Sequence, residues 1–418
     1  MMMHKNKSVN AHEFAMIPRG DIPRSTMKSQ TSHKTTFDSG YLVPILVDEV
    51  LPGDSYKVQM TAFARLSTPL FPIMDNMHLD SFFFFVPNRL VWDNWVKFQG
   101  EQVNPGDSIS YTIPQQVSPA GGYTVNSLQD YFVLPTIGQV TAGQTVSHSA
   151  LPLRAYNLIW NEWFRDENLQ NSLVVDKDDG PDTITDYVLQ RRGKRHDYFT
   201  SALPWPQKGN IGASIPLGTS APVVSNGANI TVRGGAGTMV NLVPSAAAVG
   251  ANVTTQAATT VAAMNFGASG TTTTGLFADL SAATSATINQ LRQAFTIQQL
   301  LERDARGGTR YTEIILSHFG VKSPDARLQR PEYLGGGSTP ININPIAQTG
   351  PTGTTGSSTP MGTLGAMGTV LAQNNGFSQS FTEHGHIIGL VSVRADLSYQ
   401  QGLRKLWSRL TRYDFIVF

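Results

Sequence analysis

The 418-residue sequence contains no cysteine. Disulfide bonds, thiolate zinc sites and cysteine nucleophiles are therefore excluded, and stability has to come from packing and association. No stretch approaches the roughly 20 apolar residues that cross a bilayer. Residues 1–14 are polar and lack the apolar centre of a signal peptide. We therefore expect no membrane insertion and synthesis in a reducing cytoplasm, although the absence of cysteine is also compatible with later release outside a cell.

Charge is also scarce, because charged residues make up only 15% of the chain and the net charge is +1. An average soluble protein has about 25% charged residues. The deficit indicates that other subunits cover much of the surface. The 38 glycines and 24 prolines imply many turns, which favours an all-β or loop-rich fold.

The common catalytic fingerprints are missing as well. The sequence has no P-loop, zinc-protease, nucleophile-elbow or dinucleotide motif, and its glycine-rich pieces lack the strand-to-helix context that such loops need. We therefore predict that the protein is not an enzyme and needs no cofactor.

Two patterns could hold a metal ion. Glu383, His384 and His386 are close together, but in an alternating strand only the two histidines share a face, so surface or subunit-contact histidines are favoured. An acidic segment around Gly180 could bind calcium, although its spacing does not match an EF-hand loop and a solvated acidic turn is favoured. Its carboxylates are Asp176, Asp178, Asp179 and Asp182.

Three basic segments could contact nucleic acid. Residues 1–34 have six cations against two acidic residues and few large apolar side chains, which predicts an extended arm. These cations are Lys5, Lys7, Arg19, Arg24, Lys28 and Lys34. The second segment has Arg191, Arg192, Lys194 and Arg195 beside Tyr198 and Phe199, and the third has Arg404, Lys405, Arg409 and Arg412 beside Trp407 and Tyr413.

In the second and third segments, cations could bind phosphates while aromatic rings stack on bases. Ion pairing to nearby aspartates is an equally good interpretation of the second segment. A structural role at a subunit contact is an equally good interpretation of the third.

Strand patterns occupy residues 55–66, 77–86 and 381–399, and the unalternated run from Phe82 to Phe85 predicts a strand buried on both faces. Helix patterns occupy residues 152–168 and 311–319. A further helix should begin with a capping box of Thr287 and Gln290 and end near Gly307. Residues 334–367 are expected to be mostly loop.

Residues 209–288 differ from the rest of the chain in composition. They are rich in Ala, Gly, Thr, Ser and Val and contain only two charged residues, Arg233 and Asp279. A disordered linker would normally carry more charge or more proline, so we interpret this segment as an inserted, β-rich surface excursion.

Nine blocks of sequence resemble the major capsid proteins of gokushoviruses, in the Microviridae. They are KTTFD (34–38), DEVLPGD (48–54), FFVPNRL (84–90), NEWFRD (161–166), RGKRHDYF (192–199), LPWPQKG (203–209), DARGGTRY (304–311), LQRPEYL (328–334) and RADL (394–397). The blocks are long and specific. They leave the segment 209–288 as the part without recognisable family sequence.

The resemblance implies an all-β core with helical insertions, folded as a viral antiparallel jelly roll of the eight-stranded barrel type. It divides the chain into a basic arm (1–34), a first core part (35–208), the insertion (209–288) and helices with a second core part (289–418). Family members usually continue beyond residues 407–409, so an ending at Phe418 suggests that C-terminal strands are missing or that the ending is unusual.

The resemblance also implies a function. The protein would assemble into a T=1 icosahedral virion around a circular single-stranded DNA genome, inside a bacterial host cytoplasm. The insertion would form protrusions at the three-fold axes. Expected partners are further copies of the chain, other structural and scaffolding proteins, and a host receptor for which a glycan is one candidate.

Two other functions remain open at this point. Lectins share the jelly roll, so a carbohydrate-binding or host-attachment protein is the alternative. A cupin-type enzyme comes third, because cupins need convergent histidines and the nine here are scattered.

Overall fold

The computed structural model describes most of the chain outside the insertion. The described residues are 25–67, 73, 75–197, 200–201, 203–209, 223–225, 231–233, 239–244, 253–255, 276–278, 287–320, 329–347, 364–398 and 403–415. No helix among them is both long enough and apolar enough to cross a membrane.

Strands dominate the described residues. In chain order they are β1 (Val43–Val50), β2 (Ser55–Arg65), β3 (Asn76–Pro87), β4 (Gln115–Val117), β5 (Ser147–Ser149), β6 (Val223–Ser225), β7 (Thr231–Arg233), β8 (Met239–Pro244), β9 (Val253–Thr255), β10 (Leu276–Ala278), β11 (Glu332–Pro340), β12 (Asn342–Ala347), β13 (Leu364–Ser380) and β14 (Gly385–Asp396). The α-helices are α1 (Trp95–Phe98), α2 (Leu128–Tyr131), α3 (Leu151–Ile159), α4 (Ile288–Gly307) and α5 (Tyr311–Phe319). Short helical turns occupy Asn88–Leu90, Trp160–Phe164, Ile184–Asp186, Lys405–Ser408 and Arg412–Phe415.

Two antiparallel sheets form the centre of the molecule. The larger sheet has the strand order β1-β14-β3-β11, and the smaller has the order β12-β13-β2. Strands from opposite ends of the chain pair with each other, β1 with β14 and β2 with β13. The helices lie in the connections. This arrangement confirms the predicted antiparallel jelly roll.

One hydrophobic core lies between the two sheets. Phe83 and Phe85 of β3 point into it, and Phe377 of β13 approaches Phe83 with the ring centroids 5.5 Å apart. Further along the same strands, Leu79 packs with Val370 of the smaller sheet. Alternate residues of β3 therefore hold the two sheets together.

A second core covers the opposite face of the larger sheet. Phe84 and Val86 of β3 pack there, together with Ile388 and Leu390 of β14. Their partners come from the helical connection that follows β3, namely Trp92, Trp95, Leu153, Tyr156, Ile159 and Trp160. The larger sheet is thus buried on both faces, which confirms the prediction for the phenylalanine run.

The helix predictions agree with the structure in their main features. α3 continues into a π-helical turn that ends at Phe164, so the helical segment stops short of the expected residue 168. α4 begins with the expected capping box, in which Thr287 and Gln290 bond each other's backbone. α5 ends at Phe319 and is capped by Gly320, whose left-handed φ of 68° suits a glycine.

Two predictions differ from the structure in part. The segment 334–367 was expected to be mostly loop, but its described residues, 334–347 and 364–367, form most of β11, all of β12 and the beginning of β13. Residues 348–363 lie outside the described residues. A Cβ atom on Gly336 of β11 would lie 2.0 Å from the carbonyl oxygen of Ser81, so glycine here permits close strand pairing. The last predicted strand begins at Gly385 instead of Phe381. The Phe381 N–H bonds the carbonyl of Asp54, just before β2, so Phe381 continues the pairing of β13 with β2.

The insertion is described only in short pieces. Apart from Gly209 and the start of α4, these pieces are five strands, β6 to β10, which pair antiparallel among themselves, β6 with β10 and β8 with β7 and β9. The described pieces are therefore β-structured as expected. The three-fold position of the insertion and the domain boundaries stay predictions.

We predict that Gly376→Ala destabilises the sandwich. A Cβ atom there would lie 2.0 Å from the carbonyl oxygen of Val58, so β2 and β13 would have to separate, at a cost of about 1–3 kcal/mol. Gly365→Ala in the same strand is the control, because its Cβ would meet nothing nearer than 3.6 Å. Urea unfolding of both variants measures the difference, and equal stabilities would contradict the close approach.

Candidate nucleic-acid interface

A cavity of about 790 Å³ lies beside the larger sheet. Its lining comes from β3, β11, β14, the π-helical turn Trp160–Phe164 with the residues that follow it up to 170, and a connection that contributes residues 192–196 and 200. We call it the aromatic cavity. Its lining comprises Phe82, Phe84, Trp163, Phe164, Arg165, Asp166, Leu169, Gln170, Arg192, Gly193, Lys194, His196, Thr200, Tyr333 and Arg394.

Five rings form its floor and one wall. Phe82 and Phe84 share a face of β3 because they are two residues apart, and Phe164 packs edge-on against both at 5.3 and 5.9 Å. The Trp163 and Tyr333 rings lie 6.1 Å apart, each 5.5 Å from Phe84. Phe84 is buried, whereas Trp163 and Tyr333 remain 38% and 43% exposed. The cavity therefore has a buried floor and aromatic surface near its mouth.

Two guanidinium groups share one carboxylate at the opposite wall. Arg192 donates to the buried Asp80, and Arg394 Nε lies 3.3 Å from the same oxygen. Burial alone would raise the pKa of Asp80, but a hydrogen bond from Ser338 and the two arginines together hold it below its ordinary value. Arg192 also stacks over the Phe82 ring at 4.6 Å. This wall carries two positive charges and one negative charge.

The rest of the basic segment forms two ion pairs and one cation–π contact. Lys194 contacts Asp197 at 2.8 Å, and Arg195 lies 3.8 Å from Asp396. Arg191 stacks over the ring of Tyr41 at 4.9 Å. Ion pairing to aspartates therefore describes this segment, although the partners are not those of the acidic segment at 176–186. Tyr198 and Phe199 lie outside the described residues.

Carboxylates of the acidic segment surround the Arg154 guanidinium of α3. The Arg154 and Asp182 side chains are both fully buried and form a bidentate ion pair, and Tyr187 also donates to Asp182. Asp178 lies 3.3 Å from the same guanidinium, and Asp179 accepts a hydrogen bond from Trp92. The expected solvated acidic turn holds for the exposed Asp178 and Asp179 but is wrong for Asp182, which is buried and fastens the helical layer to its connection.

The residues of the histidine pattern contact three different side chains. Glu383 pairs with Arg89 at 2.6 Å, and the His384 ring lies 5.5 Å from the Trp95 ring. His386 Nδ1 is 2.8 Å from Asn88 Oδ1, and burial lowers the pKa of His386 to about 4. In the described part of the chain, no three or more metal-ligating side chains gather in one place.

The predicted DNA-binding cations lie at the two ends of the chain. Lys28 and Lys34 are exposed in a segment without regular structure, whereas Lys5, Lys7, Arg19 and Arg24 fall outside the described residues. Arg404 and Arg412 are exposed, and Arg409 stacks on Phe415 at 5.1 Å. The structure does not describe the Lys405 side chain. Their contact with DNA stays a prediction.

The aromatic cavity was not predicted from the sequence. Its residues come from positions as far apart as Phe82 and Arg394, and only the fold brings them together. One signal was available, since two lining cations, Arg192 and Lys194, belong to the basic segment that the sequence marked as a possible phosphate contact.

An antiparallel jelly roll with helical connections is an architecture of viral shell proteins and of some lectins. The sequence profile of the family described as Capsid protein (F protein) matches residues 15–417. The chain belongs to this capsid protein family, and its role is that of a structural protein of the virion.

Three relatives agree with this assignment. Capsid protein VP1 of Bdellovibrio phage phiMH2K is 48% identical over 416 residues, which cover 97% of this chain and 75% of that protein. Capsid protein VP1 of Chlamydia phage 1 is 41% identical, with coverages of 98% and 78%. Capsid protein VP1 of Spiroplasma virus 4 is 37% identical, with coverages of 98% and 76%. The resemblance to Microviridae capsid proteins is confirmed.

We predict that Arg154→Leu destabilises the protein by about 3–5 kcal/mol, because it leaves the Asp182 carboxylate buried without its cation. Asp178→Asn is the matched control. It removes the contact of the same guanidinium with a carboxylate that is 76% exposed, so we expect a loss of about 0–1 kcal/mol. Urea unfolding compares the two, and a small effect of Arg154→Leu would contradict the anchoring role.

We predict that His386 makes stability pH-dependent. The unfolded chain protonates this ring below about pH 6.5, but the folded protein does so only near pH 4. The stabilising contribution of the neutral ring is therefore complete above pH 6.5 and is lost as the pH falls to about 4. We expect a loss of about 1–3 kcal/mol, a reduced value because the ring keeps some exposure.

The measurement is the difference in unfolding free energy between wild type and His386→Gln, taken at several pH values. The glutamine retains a hydrogen-bonding group but cannot titrate in this range. A difference that does not change between pH 7 and pH 4 would show that the ring titrates normally.

Proposed function

We propose that this capsid protein self-assembles into a T=1 icosahedral shell that encloses the circular single-stranded DNA genome of a bacteriophage, with a role that is structural and not catalytic. The observation that carries the proposal is the set of exposed apolar side chains on α4, which lie on two sides of the helix. Its exposed large side chains are Ile288, Leu291, Phe295, Ile297 and Leu300. A shell buries such a surface between copies, whereas an isolated chain would leave it in water.

Electron microscopy of the expressed full chain tests this proposal. Closed shells of uniform diameter, with one copy in each asymmetric unit, would support it. Small oligomers with affinity for glycans would favour the alternative, a carbohydrate-binding attachment protein.

We further propose that residues 1–34 contact the genome on the inner surface of the shell. Two features support this role: the cationic composition of the arm, and the extended, exposed path of residues 25–36. The cations Arg404, Lys405, Arg409 and Arg412 are proposed to contribute near the C-terminus. Assembly would take place in the host cytoplasm with other phage structural and scaffolding proteins.

Replacing Lys5, Lys7, Arg19, Arg24, Lys28 and Lys34 by Gln should reduce the DNA content of particles, because each cation releases counterions when it meets phosphate. The salt dependence of DNA binding should also become less steep. A matched control uses two double variants. Lys28→Gln/Lys34→Gln in the arm should reduce the DNA content, whereas Lys57→Gln/Arg65→Gln, an equally charged and exposed pair in β2, should not. If the variant with all six substitutions packages DNA normally, the arm does not bind the genome.

We propose that residues 209–288 project from the shell at the three-fold axes and contact the host receptor. Two charges in this segment would suit a contact among three copies, since few ions would be desolvated. Replacing residues 210–286 by a short Gly-Ser linker should leave shells intact and abolish adsorption to the host. Normal adsorption of such particles would refute the attachment role.

A further inference from the structure

We propose that the aromatic cavity binds an unstacked base of single-stranded DNA, with the adjoining phosphate at Arg192 and Arg394. This inference rests on the proposed enclosure of a DNA genome. It adds a binding site distinct from the cationic ends of the chain, since none of the lining residues belongs to them.

The shape of the cavity suits a base. Its volume of about 790 Å³ falls within the roughly 300–1,000 Å³ of small-ligand sites. The Trp163 indole is held in place by donating a hydrogen bond to the Pro331 carbonyl at 3.0 Å. Arg330 stacks over the same indole at 5.0 Å. A fixed, partly exposed ring beside Tyr333 offers a stacking surface that every base can use.

The charge of the cavity favours a phosphate over an apolar peptide. Arg192 and Arg394 share Asp80, so their wall has one positive charge in excess. Burial, followed by repulsion from Arg192, lowers the pKa of Arg394, and a nearby anion would relieve both effects. An apolar segment from another subunit would leave this excess charge buried and uncompensated.

Two ion pairs and one further carboxylate account for the other charges at the mouth. Lys194 pairs with Asp197, and Arg165 lies 3.6 Å from Glu167. Asp166 also lines the cavity, 3.9 Å from the His196 ring. The positive excess is therefore confined to the wall formed by Arg192 and Arg394, where we expect a phosphate to bind. Stacking with an ionic contact predicts binding without a preferred sequence, as genome packaging requires.

The test uses the full chain and two fluorescent probes, a short oligothymidylate and an abasic oligomer of the same length. Trp163→Leu should weaken binding of the oligothymidylate about tenfold, since stacking on one ring is lost, and should leave binding of the abasic oligomer unchanged. Trp205→Leu is the matched control, because Trp205 has the same 38% exposure as Trp163 and lies outside the lining. It should change neither affinity.

Tyr333→Leu provides a second variant in case Trp163→Leu does not fold, and we expect the same selective loss. If wild type binds both probes equally and neither variant discriminates between them, the cavity proposal is wrong while DNA enclosure stands. If wild type binds neither probe, the proposed DNA contact itself fails. If the variants abolish shell assembly but bind oligothymidylate normally, the cavity is a subunit contact and the proposal is overturned.

Discussion

Burial of both faces of the larger sheet is the constraint on which the other features of the molecule depend. In β3 and β14 neither set of alternating side chains faces water, so each strand needs a partner layer on either side. The smaller sheet supplies one layer. The helical connection after β3 supplies the other, and its aromatic side chains are held in place by the sheet that they cover.

Buried charges fasten this outer layer. The Arg154 side chain joins α3 to the connection through Asp182, and Arg192 joins the following segment to β3 through Asp80. Buried ion pairs of this kind add little net stability when complete, but breaking one is costly, so they fix how segments meet. The second pair also positions a guanidinium at the wall of the aromatic cavity. Packing of the layer and the chemistry of the cavity therefore share the same residues.

Local patterns in the sequence were sufficient for part of this structure. The unalternated phenylalanines predicted two-sided burial, and the capping box of Thr287 and Gln290 predicted where α4 begins. The glycine-rich β11 was missed because glycine has a low strand propensity, and only its pairing with β3 makes a strand there favourable. Propensity carries no information about a partner that is far away in the chain.

The ion pairs and the cavity could not be predicted from the sequence for a related reason. The basic segment is close in sequence to the acidic one, which suggested mutual neutralisation, yet Arg192 pairs with Asp80, a residue of β3. Charged side chains pair with whatever the fold brings near them, and that depends on the strand order. The family resemblance supplied the jelly roll, but it did not supply these contacts.

Backbone hydrogen exchange measured strand by strand tests the two-sided burial most directly. Amides of β3 and β14 should exchange slowest, with opening free energies near that of global unfolding, because both cores have to separate before these strands open. Amides of β12, an edge strand with mostly exposed side chains, should exchange much faster. Exchange in β3 and β14 as fast as in β12 would contradict the account.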